Sequence, residues 1–208
     1  MEKTVAENHK RYLERKALYK NFGYDVDKER SFIVEQAQPL YGEILEAGTG
    51  KGHFALALAK EGCKFTTFDI SEEEQGFAKL NLKYFGLDHL VDFRIENGEH
   101  LSFKDKSFDI IFSVNTLHHL ANPYKVVDEF IRILSAQGKL VLSDFTKEGL
   151  LIMDKIHAAE GNKHEVNNTT LFDVEKYLIQ KGFKAERSKS KYQDVLVACQ
   201  NAGRIFQK

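Results

Sequence analysis

Cysteine is scarce in this 208-residue chain. Cys63 and Cys199 are the only two, far apart in sequence. They form no CxxC motif and no disulfide framework. A reducing cytoplasm is the simplest setting, with both side chains buried as small apolar groups. Long apolar runs are missing too, and none approaches the ~20 residues that span a bilayer. The N-terminus, "MEKTVAENHKRYLERK", is charged and lacks an apolar centre, so it is not a secretory signal. Neither sign of charge dominates. Thirty Lys and Arg face 31 Asp and Glu, for a net charge of −1, and no basic field favours nucleic acid. There is no internal repeat. What remains, 42% hydrophobic and 29% charged residues, suits a soluble globular protein with one substantial core.

From residue 40 onward, short apolar runs alternate with amphipathic stretches. The runs are "GEILEAG" (42–48), "CKFTTFD" (63–69), "VDFRIEN" (91–97), "FDIIFSV" (108–114) and "KLVLSDF" (139–145). Each is short and rich in β-branched or aromatic residues, as buried strands are. Ser71 with Glu74 forms a capping-box pattern that opens a helix over 72–86. Asn122 before Pro123 marks the start of a second, over 123–135, with Gly138 turning the chain into the next strand. Thr170 caps a helix over 170–183, and a hairpin follows. The alternation predicts an α/β fold, a Rossmann-like doubly wound, mostly parallel seven-stranded sheet whose last strand is antiparallel. Residues 1–40 read as an N-terminal helical cap of two helices, broken near Asn21–Gly23. Residues 41–208 read as the main domain, with an insertion or lid at 146–169.

The densest glycine cluster is "ILEAGTGKGHFA" (44–55), directly after the first strand. A phosphate-binding P-loop needs GxxxxGK followed by Ser or Thr. Here Gly52 and His53 follow Lys51, which excludes it. A dinucleotide loop needs GxGxxG and an acidic residue ~20 positions later. Gly48, Gly50 and Gly52 give GxGxG instead, which weakens that reading. A third ligand, S-adenosylmethionine (SAM), needs close backbone approach and a carboxylate for its ribose. Asp69, at the end of the second strand, offers that carboxylate. A nicotinamide cofactor would use it equally, so Asp69 alone leaves the two open.

"ILEAGTGKGHFA", "FTTFDIS", "ENGEHLSFKDKSFDIIFSVNTLHHL" and "RILSAQGKLVLSDF" resemble the successive motifs of class I SAM-dependent methyltransferases. The resemblance covers about residues 40–146 and is nearest to the ubiquinone/menaquinone-biosynthesis C-methyltransferases of the small-molecule subgroup. It implies that Glu46, Gly48 and Gly50 line the methionine part of SAM. It implies that Asp69 binds the ribose, with Ile70 beside the adenine. Asn97 stands where the family usually has an acceptor aspartate, so that contact loses its charge. Gly98 would add a backbone N–H to the adenine. Asn115 would offer its carbonyl to the methionine amino group. An N-terminal aromatic commonly closes over the cofactor in this family, which makes Tyr19 and Tyr24 candidates.

The methyl group of a sulfonium is already activated, so such an enzyme chiefly aligns a nucleophile in a dry pocket. His118 and His119 follow the fourth strand and are candidate bases or acceptor contacts. His53, His157 and His164 are candidate acceptor-lining residues. His157, His164 and Glu165 form a weak metal candidate whose spacing matches no strong motif, so no metal is expected. The expected activity is methyl transfer to a small molecule, with neither nucleic acid nor membrane as partner. The alternatives are a non-catalytic SAM-binding protein and an NAD(P)-dependent oxidoreductase. The acceptor and the oligomeric state are not legible.

Overall fold

The computed structural model describes residues 3–161 and 167–200. Two helices, α1 (Lys3–Asn21) and α2 (Val26–Gln36), come first. Strands β1 (Ile44–Ala47), β2 (Phe65–Asp69) and β3 (Val91–Ile95) follow, separated by α3 (His53–Lys60) and α4 (Glu72–Tyr84). Next come β4 (Phe108–Val114), α5 (Pro123–Ile133), β5 (Leu134–Phe145), α6 (Lys147–Ala159) and α7 (Leu171–Gln180). The hairpin β6 (Phe183–Lys189) and β7 (Gln193–Gln200) ends the described chain. The sheet order is β3-β2-β1-β4-β5-β7-β6. Only β7 runs against its neighbours, pairing antiparallel with both β5 and β6. This is the Rossmann-like topology expected from the alternation of runs. The order reverses between β1 and β4, and such a switch point opens a crevice at the strands' carboxyl ends.

Period-two alternation sends neighbouring side chains to opposite faces of the sheet. Leu45, Ile111 and Leu140 pack on α5 through Val126, Val127 and Phe130. Ile44, Ile110, Phe112 and Val141 pack on the other face with Ile33 and Val34 of α2 and Phe54 and Leu58 of α3. Burying each of these large side chains is worth about 1.5–3 kcal/mol. A third cluster joins Tyr24, Val26, Met153, Ile156 and Tyr192. It fixes α6 against the α1–α2 turn. No helix among the described residues is long and apolar enough to cross a membrane.

Three local expectations need correction. Strand β5 begins at Leu134, where α5 ends, and its pairing with β4 shifts register between Phe108 and Ile110. Gly138 therefore lies inside the strand, where a Cβ would come within 2.8 Å of the Asp109 carbonyl. Asn122 occupies the cap position of α5, but its side chain makes no cap bond. It donates instead to Glu99, at 2.8 Å. At α4, Ser71 accepts from the Glu74 N–H at 3.2 Å. The reciprocal half of the capping box is replaced by a 3.8 Å approach of Glu74 to Lys51.

Candidate active site

The crevice is built outward from the β1–α3 loop. The N–H groups of Gly48 and Thr49 both donate to the Phe68 carbonyl, at 2.9 and 3.0 Å, which ties the loop to β2. Gly48, Gly50 and Gly52 all have positive φ (86°, 48° and 79°), a region that side-chain-bearing residues avoid. Their surroundings differ. A Cβ on Gly48 would lie 2.5 Å from Thr116 Oγ1, and one on Gly52 would lie 2.7 Å from Ala78 Cβ. A Cβ on Gly50 would meet nothing within 4 Å. Gly48 and Gly52 serve close packing, whereas Gly50 leaves open space. Asp69 holds the loop from the other side. Its Oδ2 accepts from the Gly50 N–H at 2.7 Å, and its Oδ1 accepts from the Ser71 N–H at 2.9 Å.

A cavity of about 570 Å³ opens here. At one end stand Asp69, Ile70, Asn97 and Gly98. Ile70 is 73% exposed, an apolar plate at the rim. Asn97 turns its Oδ1 to the Glu99 N–H at 3.0 Å, inside its own turn. At the other end stand Glu46, Asn115, Arg30 and His53. Glu46 is 1% exposed. Thr67 Oγ1 donates to its carboxyl at 2.6 Å, and the chain of contacts runs on through Thr49 to Gln75. Burial pushes the Glu46 carboxyl up to about 8, because low dielectric disfavours the charged form. Asn115 has φ of 54°, so its backbone bends away from the strand. With its amide oriented to satisfy both sides, its Oδ1 accepts from Arg30 Nη1 and Nη2 at 3.0 and 2.9 Å, and its Nδ2 donates to Gln193 Oε1 at 2.8 Å.

Residues 45–142 match the family model described as a methyltransferase domain. The chain is similar to methyltransferases, with the match covering just under half of it. It is 28% identical over 149 residues to the ubiquinone biosynthesis O-methyltransferase of Klebsiella pneumoniae, covering 71% of this chain and 60% of that one. It is 30% identical over 139 residues to a sarcosine/dimethylglycine N-methyltransferase of Halorhodospira halochloris, covering 63% and 50%. The matches to curated relatives span between 22% and 60% of those proteins' length. In fold it is similar to the crystal structure of the PH0226 protein from Pyrococcus horikoshii OT3, with a TM-score of 0.73, 19% identity, and 92% and 99% coverage.

The cleft gathers most, but not all, of the residues singled out from the sequence. Glu46, Gly48, Gly50, His53, Asp69, Ile70, Asn97, Gly98, Asn115 and His119 all line it. Tyr19 and Tyr24 do not. Tyr24 is 1% exposed and sits behind Asn115, where its hydroxyl accepts from Gln193 Nε2 at 2.9 Å. The α1–α2 turn carries it into the apolar cluster with Val26 and Tyr192, which wins over exposure at a rim. Tyr19 packs against that same cluster, and its hydroxyl accepts from Arg15 Nε at 3.2 Å.

The paired histidines part company. They share a 3₁₀ turn, Leu117–His119, with ring centroids 4.0 Å apart. His119 lines the cleft, while His118 lines a separate cavity beyond it. Asp144 holds His118 through both the ring Nδ1, at 2.5 Å, and the backbone N–H, at 3.2 Å. Asn167 ties the same turn down, its amide donating to the carbonyls of Leu117 and Leu120.

No described residue of 146–161 lines the cleft. Met153 and Ile156 bury themselves instead in the third cluster, and His157 is half-buried on α6, away from the cleft. His164 and Glu165 lie outside the described residues. Among the described residues, no group of three His, Cys, Asp or Glu could hold a metal ion. Arg30 was not legible in the sequence. It is one of several charged residues on α2, and only the packing of that helix on the sheet brings it to Asn115.

Proposed function

We propose that this protein transfers the methyl group of SAM to a small molecule. The observation that carries this reading is the Gly50–Asp69 arrangement. The loop leaves open space at Gly50 beside a carboxylate already fixed by two backbone N–H groups. A phosphate would be repelled by that carboxylate, and a neutral ribose would be held by it. Arg30 supports the fit at the other end. It lines the cleft, and its Nε is buried without a partner.

Asp69 would hold the ribose, with Ile70, Asn97 and Gly98 around the adenine. Glu46, Gly48, Gly50 and Asn115 would surround the methionine part, and Arg30 would face its carboxylate. When bound, SAM supplies a sulfonium-activated methyl group. Of the pair, His119 lines the cleft and would take a proton from an acceptor bound there. His118 acts through its Asp144 clamp, as a positioning residue for that turn. Glu46, largely protonated near neutrality, holds the loop through Thr67 without adding charge. The unpaired Cys63 and Cys199 suit a reducing cytoplasm.

Calorimetry with SAM and its demethylated product, S-adenosylhomocysteine (SAH), tests the reading. Both should bind. Asp69→Ala should weaken binding by about 1.5–3 kcal/mol, the worth of a hydrogen bond to a charged group. Failure of the intact protein to bind either compound would overturn the assignment.

A further inference from the structure

A further cavity, of about 410 Å³, lies between α1 and the faces of α3 and α4. Lys51 and His53 line both this cavity and the cleft. The two spaces share a wall where the glycine loop becomes α3. One side is apolar, with Tyr12, Leu18 and Phe77. Tyr12 stacks on His53 with centroids 5.2 Å apart and planes 26° from parallel. An amide pair braces another side. Asn8 donates to Asn81 Oδ1 at 2.8 Å, and Asn81 donates to the Lys51 carbonyl at 3.0 Å.

The charge around this cavity does not balance. Arg15 is matched by Glu160 at 3.1 Å, and Glu14 lies 3.9 Å from Lys10. Lys51 has only the 3.8 Å approach of Glu74. Arg11 has no hydrogen bond or ion pair among the described residues. The aromatic groups add no charge near neutrality. Burial pushes the Tyr12 phenol up to about 12. Burial, with Arg30, Arg15, Lys16 and Lys51 nearby, pushes the His53 imidazole down to about 3. Arg11 is left as an unmatched cation beside an aromatic surface, with Lys51 close by, held at 3.8 Å by Glu74 and 5.9 Å from the centre of the Phe77 ring.

We propose that this cavity receives the methyl acceptor and selects one with a flat apolar body and an anionic group, the anion held by Arg11 and Lys51. The inference rests on the methyltransferase reading. Phe77 provides a face for the ring, with Tyr12 and Leu18 as an apolar border, and a guanidinium pairs well with a carboxylate. The shared wall at His53 places the acceptor next to the methionine end of the cleft, where Glu46, Asn115 and Arg30 stand.

The test uses 2-naphthoate and its neutral counterpart 2-naphthamide on the full chain saturated with SAH. The chain has no tryptophan, so naphthyl fluorescence reports binding without interference. Naphthoate should bind at least about tenfold tighter than naphthamide, as a charge-assisted pair requires. Arg11→Gln should weaken naphthoate about tenfold and leave naphthamide and SAH unchanged. Lys51→Met should act on naphthoate in the same direction. If SAH binds but the two probes bind equally, or neither binds, the acceptor assignment falls and the methyltransferase reading stands. The assignment also falls if Arg11→Gln leaves naphthoate affinity intact. If SAH does not bind the intact protein, the methyltransferase reading falls and takes this inference with it.

Discussion

The cleft has two walls. On one, Gly50 meets Asp69 across 19 positions, and Glu46 meets Thr67 across 21. Those contacts follow from one strand–helix–strand unit, and the parallel pairing Glu46↔Thr67 makes them unavoidable. On the other wall, Arg30 of α2 reaches Asn115 after β4. Asn115 in turn leans on Gln193, whose partner Tyr24 lies 169 positions away. The first wall is a local motif stiffened by backbone bonds. The second is a polar network assembled only when the N-terminal helices and the last strand meet. The loop wall should therefore fail by backbone strain, and the network wall by orphaned polar groups.

The largest effect is expected at Gly48. Gly48→Ala combines a left-handed backbone with a Cβ 2.5 Å from Thr116. It should cost about 2–4 kcal/mol in chemical denaturation, from strain plus overpacking. Gly50→Ala has the same handedness but open space, and should cost only about 1–2 kcal/mol. Its main effect should be on SAH affinity. Equal stability losses at both positions would remove the distinction between packing glycine and ligand glycine.

Arg30→Met probes the network wall. It leaves the half-buried amide of Asn115 short of two donors and should cost about 1–3 kcal/mol. An unchanged midpoint in urea would mean that the network wall needs no guanidinium.

The most gradual effect, small over any single pH unit, is a pH slope. Glu46 is raised from 4.5 to about 8, so the folded state holds a proton that the unfolded chain releases. Its contribution is lost as pH climbs through that window. His53 is lowered from 6.5 to about 3, so the unfolded chain takes up a proton that the folded state refuses. Its contribution is lost as pH falls from 6.5 toward 3. Each slope is at most about 1.4 kcal/mol per pH unit. Between pH 4.5 and 6.5 the two oppose each other, and above 6.5 Glu46 acts alone. Thermal melts of Glu46→Gln should gain on the parent protein as pH rises from 4.5 to 8. Those of His53→Gln should gain as pH falls below 6.5. A Glu46→Gln advantage that does not vary with pH would contradict the protonated carboxyl.

The histidines show where legibility stops. Neighbours in sequence, His118 and His119 look interchangeable on paper. The 3₁₀ turn sends them to different cavities, and Asp144, on β5, determines which one is clamped. Tyr24 shows the same limit. Its sequence position suggested a rim aromatic, but the cluster formed by α6 and Tyr192 gave it a larger apolar surface to bury.

The sequence by itself determined the alternation of strands and helices, the glycine loop and Asp69. Each depends on residues close along the chain, whose spacing survives any packing of the rest. Only the tertiary structure decided that Arg30 and Asn115 form the far wall, that Tyr24 is core, and that Arg11 stands over a further cavity. Those depend on how α1 and α2 lie against the sheet. That placement is set by the summed burial of Ile33, Val34 and Tyr12 against the sheet and α3, and no short stretch of sequence encodes such a sum.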